Sequence, residues 1–410
     1  MKTHFSNSTW LTLLFIGRVL TATTFFMYVG SMAFLIQEWN LSATSAGLIQ
    51  TALVVGFAGS LYFSSFYSDF INPNQILIFS SILNSLGAFL FFYFANDFYS
   101  ALILNFVLGV AAGGIYGPSM ILVSEKFSQG RKGFAMGMML GGQSLGYALS
   151  LSITFTFSNF YNFKDGFLIC AILTLLGLAS FILSSYSDLF KKLDFQIIKY
   201  FKVTEQSYQN KNLIRGYTAH CIELFGMWAW MPVFLSLILV DKTYLNPIIL
   251  GLVISLTLHL TGVFSNVISG YFSDKFGSKN VLVIFAIISA LFSFLVGWIP
   301  NFSWLLILII SFLYSFFTIG DSGVLTAALT DSTKRNVLGR SLAFRSMIGI
   351  GFGSVTPGIF GFILDFTNNH EPLSQQTNWI YAFSFLGLSG LFAFYFATKL
   401  DRNKLSKTLS

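Results

Sequence analysis

Charge is scarce in this chain: of 410 residues only 16 are acidic and 23 basic, and charged residues make up 10% of the whole. A water-soluble fold of this length needs a far more charged exterior, so a soluble globular protein is excluded. Cysteine is nearly absent too. The two present, Cys170 and Cys221, fall inside apolar runs and read as packing residues, with neither a disulfide frame nor a metal site expected. Proline is limited to seven residues. Neither a Walker phosphate loop nor a His-Glu-x-x-His zinc helix occurs, which gives ATP-driven transport and membrane metalloproteolysis no support. No cofactor is expected.

What is present is apolar. Hydrophobic residues make up 55%, including 49 Phe, and the mean hydropathy is +0.72. Segments long enough to cross a ~30 Å hydrocarbon layer predict twelve spans, at 10–36, 44–68, 75–96, 98–123, 133–157, 164–187, 213–240, 246–271, 279–299, 302–328, 338–364 and 377–398. The first is too long for a signal-peptide core, carries Arg18 and has no small-residue cleavage site behind it, so it is expected to remain a span. Breaks such as Asn72-Pro73-Asn74, Gln129-Gly130-Arg131 and Pro300-Asn301 are turn-forming. The longest polar interruption, Ser184 to Asn212, separates six spans from six. The expected fold is an all-α membrane protein of two six-helix bundles related by pseudo-two-fold symmetry: residues 1–187, a cytoplasmic linker 188–212, and residues 213–410. The 35 glycines suit close helix packing.

Basic residues orient the chain. Eighteen of the 23 Lys and Arg fall in the termini, the central interruption and the loops on their side, whereas the opposite loops hold two, Lys164 and Lys242. By the positive-inside rule, both termini and the central loop are expected in the cytoplasm, with the protein in the cell membrane, the inner membrane if the source is bacterial. This accounts for the formal charge of +7 without a nucleic-acid partner.

The stretch Gly270 to Lys279, GYFSDKFGSK, has an echo at Ser65 to Asn74, SFYSDFINPN, with Asp274 falling 205 residues after Asp69, half the chain. A half-chain period means two related halves. The stretch resembles the loop signature of the major facilitator superfamily, which lies between helices 2 and 3 and again between helices 8 and 9. Gly270, Asp274, Lys275, Gly277 and Lys279 match it, with Ser278 at one basic position. The earlier copy keeps Asp69 and departs at Ser65, Phe70, Asn72 and Asn74. The resemblance implies a gating loop: Gly270 would let two helices approach, Asp274 would accept hydrogen bonds from a neighbouring helix end, and Lys275 and Lys279 would anchor the loop inside. Gly133, Gly142 and Gly146 in span 5 are similar in spacing to the superfamily's antiporter motif, though Tyr147 stands at its proline. Span 11 echoes them with Arg340, Gly349 and Gly353 at an offset of 207. These glycines are expected to serve helix packing.

Ionisable residues inside spans are few, and each costs at least ~2.5–3.5 kcal/mol in the hydrocarbon core, so each is a functional candidate. They are Arg18, His220, Glu223, His259, Asp321 and Arg345. In the superfamily, helices 1, 4, 7 and 10 line the central cavity, and the resemblance places Arg18, His220 with Glu223, and Asp321 on three of these. Asn105, four residues before Gly109, stands where many proton-coupled members carry arginine. His220 and Glu223 share one helical face, and a shared proton between them is expected. Arg18, always charged, is expected to pair with Glu223 or Asp321 or to bind an anionic group of a solute. Arg345 is expected to reach the cytoplasmic surface, and His259 to be a packing residue. Phe225, Met227, Trp228, Trp230 and Met231 read as packing ahead of a solute pocket. The expected function is secondary active transport of a small solute by alternating access, coupled to protons, by a monomer that is not an enzyme. An uncoupled facilitator, an exporter of an amphipathic compound and a solute sensor on the same fold stay open.

Overall fold

The computed structural model describes residues 6–68, 70–127, 132–186, 208–243, 245–333 and 338–401. Asp69 and most of the expected linker lie outside them. The described residues form fifteen α-helices: α1 Asn7–Thr21, α2 Met27–Glu38, α3 Ala43–Tyr67, α4 Pro73–Phe94, α5 Phe98–Lys126, α6 Lys132–Phe160, α7 Phe163–Ser185, α8 Tyr208–Leu239, α9 Pro247–Ser255, α10 Thr261–Phe276, α11 Ser278–Val296, α12 Trp304–Ser332, α13 Leu338–Gly353, α14 Thr356–Thr367 and α15 Ile380–Thr398. Paired across short breaks, α1 with α2, α9 with α10 and α13 with α14, they make the twelve expected spans. Eleven are long and apolar enough to cross a membrane. The exception is α6, 29 residues long, whose Gly, Ser and Thr residues and Gln143 dilute its apolar character.

Three spans are interrupted. The first breaks at a short 3₁₀ turn, Ala22–Thr24, without proline or glycine. Neighbouring side chains satisfy its backbone: Asn84 Nδ2 donates to Thr21 O (3.1 Å), Thr24 Oγ1 donates to Asn84 Oδ1 (2.9 Å), and Ser150 Oγ donates to Thr23 O. Inside a bilayer a break persists only with such partners. Span 8 carries a π-helical turn, Leu256–Leu260, and span 11 breaks before Pro357, which opens α14.

The chain divides into two compact units. The first holds Met1–Trp39, Ala52–Lys199 and Asn246–Ser255. Its core joins Trp10, Leu11 and Leu14 of α1 to Leu77, Ile115, Met139 and Phe181 of α4 to α7. Glycines set the approach: a Cβ at Gly109 would lie 1.9 Å from Leu53 O, and one at Gly146 would lie 2.3 Å from Val19 O. Gly142 meets Phe15 and Val19, whereas Gly133 has nothing within 4 Å of its Cβ position among the described residues.

The second unit holds Asn40–Thr51, Tyr200–Leu245 and Leu256–Ser410, so each unit includes the first turns of a helix that continues into the other. Its core joins Leu213 of α8 to Val281, Leu282 and Phe285 of α11 and to Val324, Leu325, Ala328 and Leu329 of α12. Gly349 packs on Tyr217, and a Cβ at Gly353 would lie 2.8 Å from Cys221 O. Trp230 Nε1 donates to Pro357 O (2.9 Å) and its ring stacks on Phe360, so the aromatic run of span 7 serves packing here. The start of α3 is capped from α14: Asp365 accepts from the backbone N–H of Ala43 (2.9 Å) and Thr44 (2.8 Å) and from the Thr44 hydroxyl. Ser42 Oγ accepts from Ser45 N (3.1 Å). This is N-capping by a residue 322 positions downstream.

Candidate functional site

The loop between α10 and α11 carries the superfamily motif, the most specific signal in the sequence. Gly277 has a φ of +85°, a backbone conformation that favours glycine, and it both ends α10 and begins α11. Lys279 Nζ donates to Leu400 O, tying the start of α11 to the end of α15. Lys275 lies over the ring of Phe276. Two expectations fail. Gly270 has nothing within 4 Å of where its Cβ would stand, so it brings no helices together. Asp274 is exposed and accepts no hydrogen bond among the described residues.

In the first unit one charge is buried. Arg18 of α1, 4% exposed, sits three residues before the break in span 1. Its Nη2 donates to Gln143 Oε1 of α6 (2.6 Å), and its guanidinium lies 5.0 Å from the centre of the Tyr116 ring of α5. Gln143 in turn donates to the Tyr147 hydroxyl. The Tyr147 ring stacks on Phe25 (4.9 Å between centres) and touches Phe26 (4.7 Å), while Phe57 of α3 meets Phe25 and Tyr116 edge-on. Arg18 therefore engages an amide and a ring of its own unit, and not Glu223 or Asp321, the first of its two expected partners. Asn105 is fully buried on α5, one turn before the tightly packed Gly109.

The second unit holds the other buried charges. His220 of α8 lies with Nδ1 2.7 Å from Asp321 Oδ1 of α12, and its Nε2 is 2.7 Å from Ser322 Oγ. The approach to Oδ1 does not meet hydrogen-bond geometry. Glu223 accepts from Ser289 Oγ of α11 (2.7 Å), which also lies 2.7 Å from Thr318 Oγ1 of α12. The Tyr314 hydroxyl donates to Ser293 Oγ (3.1 Å) beside it. The expected His220–Glu223 pair is thus replaced by two separate contacts: one helical face of α8 presents its imidazole and its carboxylate to different neighbours. A cavity of ≈ 10 Å³, lined in part by Asn212, Leu213, Asp321 and Ala393, touches the Asp321 site. That is room for about one water molecule.

Arg345 overturns a further expectation. At 8% exposed it does not reach the surface; Nη1 donates to Thr326 Oγ1 (2.8 Å) and the guanidinium lies 4.1 Å from the centre of the Tyr217 ring. A ring face and a hydroxyl on adjacent helices outcompete snorkelling. His259, in the π-helical turn, is buried with its ring 6.0 Å from that of Trp228. Sequence reasoning missed Gln143, Tyr116, Ser289, Thr326 and Asp365. Gln143 alone carried a signal, as the one side-chain amide within α6 before its last turn.

A membrane-embedded helical protein with polar side chains converging inside each of two units is built as a carrier of solutes. The chain belongs to the Major Facilitator Superfamily, whose model matches residues 14–195 and 216–409, and it is a membrane transporter. It is similar to the "Putative niacin/nicotinamide transporter NiaP" of Bacillus subtilis (strain 168), 24% identical over 315 residues, which span 73% of this chain and 76% of that protein.

Proposed function

We propose that the protein moves a small solute across the cell membrane by alternating access, driven by protons, as a monomer with both termini in the cytoplasm and without enzymatic activity. The single observation that carries the coupling is the buried His220–Asp321 pair, with Ser322 on the second imidazole nitrogen. An imidazole held between a carboxylate and a hydroxyl takes up and passes a proton within one fixed geometry. Ionisable groups inside spans that pair with one another mark functional sites, proton relays among them. Glu223, on the same face of α8 as His220 and hydrogen-bonded to Ser289 of α11, is a second ionisable group for the same step.

The compounds in the relative's name supply the first probes. Purified protein in liposomes is expected to accumulate labelled nicotinate or nicotinamide under an imposed pH gradient. Asp321→Asn should cut gradient-driven accumulation at least about 100-fold yet preserve exchange of internal for external solute, since exchange needs no net proton movement. Unchanged gradient dependence in Asp321→Asn would remove the pair from the coupling role.

A further inference from the structure

We propose that Arg18 is the charge-binding seat of the solute site, and that the solute is a flat aromatic anion with its carboxylate on the guanidinium and its ring against Tyr116, Tyr147 and the neighbouring phenylalanines. This rests on the transport reading above.

The charge balance carries it. Arg18 is buried inside a span, and an uncompensated charge there is costly unless something of opposite sign meets it. Among the described residues of the first unit no carboxylate lies in ion-pair range of Arg18; its one hydrogen bond goes to a neutral amide. Arg345 of the second unit also rests on a hydroxyl and a ring, but that unit buries the carboxylates Glu223, Asp321 and Asp365 as well, whereas the described residues of the first unit bury none. A buried cation left without an internal counter-ion is matched by an anion that arrives and leaves. Among the described residues Arg18 makes one hydrogen bond, from Nη2 to Gln143 Oε1, which leaves the second Nη2 hydrogen and its neighbour on the fork for a bidentate carboxylate.

The shape of the solute follows from what surrounds the charge. Tyr116 lies against the guanidinium, Tyr147 is reached through Gln143, and Phe25, Phe26 and Phe57 continue the wall. Rings pack against rings in offset or edge-on contacts, which favours a planar aromatic over a puckered ring of equal size. Gln143 has a defined part: its amide fixes the guanidinium and links it to the Tyr147 hydroxyl, so the fork is positioned before the anion arrives.

Equilibrium binding to the full-length protein in lipid nanodiscs tests this with four probes: nicotinate and benzoate, which are aromatic anions; nicotinamide, the neutral isostere; and cyclohexanecarboxylate, a puckered anion. Nicotinate and benzoate are expected to bind at least 10-fold more tightly than either control. Arg18→Gln should weaken nicotinate at least 100-fold and leave nicotinamide unchanged, and Arg18→Lys should recover part of the loss. Should Arg18→Gln fail to fold, Tyr147→Leu carries the test, with the preference for benzoate over cyclohexanecarboxylate expected to collapse. Equal binding of nicotinate and nicotinamide, no binding of any carboxylate, or an Arg18→Gln protein with parental affinity overturns the proposal. Asp321→Asn is expected to keep nicotinate binding. If it also kept gradient-driven accumulation, the coupling reading would fall and the anion site would stand.

Discussion

The two units carry the same helical plan and opposite interior electrostatics. Among the described residues, one buries a single guanidinium among an amide and aromatic rings; the other buries two imidazoles, three carboxylates and a second guanidinium, with hydroxyls from α11 and α12 against Glu223, His220 and Arg345. Duplication has copied the packing glycines, since Gly146 and Gly353 both meet backbone closely, but it has not copied the chemistry. In the cycle proposed above, the two similar scaffolds would supply different halves: a fixed positive charge to hold an anion, and ionisable groups to carry the protons.

That contrast is open to attack at several points. The largest effect is expected where the units agree. Gly146→Val or Gly353→Val forces a side chain into backbone and should cost about 3 kcal/mol or more, seen as loss of monodisperse protein after extraction, whereas Gly133→Val should stay within about 0.5 kcal/mol. Next comes a change that makes the first unit resemble the second: Gln143→Glu gives Arg18 an internal counter-ion. It should weaken aromatic anion binding about 30-fold, or about 2 kcal/mol at 1.4 kcal/mol per decade, with a raised Tm. An unaltered affinity in that variant would mean Arg18 does not face the solute. Asp365→Asn should lower stability by about 0.5–2 kcal/mol, the usual worth of a helix cap, read as a drop in Tm with solute affinity unchanged. Smallest is Ser289→Ala, which deletes one hydrogen bond to Glu223. A slowing of gradient-driven transport by less than about 10-fold is expected, in line with about 0.5–1.5 kcal/mol for one such bond.

Span count and the packing role of Gly142, Gly146, Gly349 and Gly353 were legible because they rest on hydropathy and spacing, which are local. Which residues meet was not. His220 and Asp321 are 101 residues apart, and helices apolar nearly all round offer no stripe to say which face turns inward. The interruption of span 1 was illegible for a related reason: no proline or glycine marks it, and it persists through Asn84 and Ser150 on other helices. Arg345 misled because snorkelling is read from depth along a helix, whereas its position was decided by Tyr217 and Thr326 across the bundle. Gly270 matched a motif whose glycine is expected to have a close neighbour, and among the described residues it has none within 4 Å.

Time enters through Asp365. The first turn of α3 is inserted early in synthesis, yet the carboxylate that satisfies its Ala43 and Thr44 amides is 322 residues further along the chain. At ~5–20 residues per second those amides wait about 16–64 s, with only Ser42 supplying a local cap to the amide of Ser45. The second span of this protein is therefore finished by its eleventh, and a ribosome that stops short of residue 365 leaves behind an early helix whose start has not been completed.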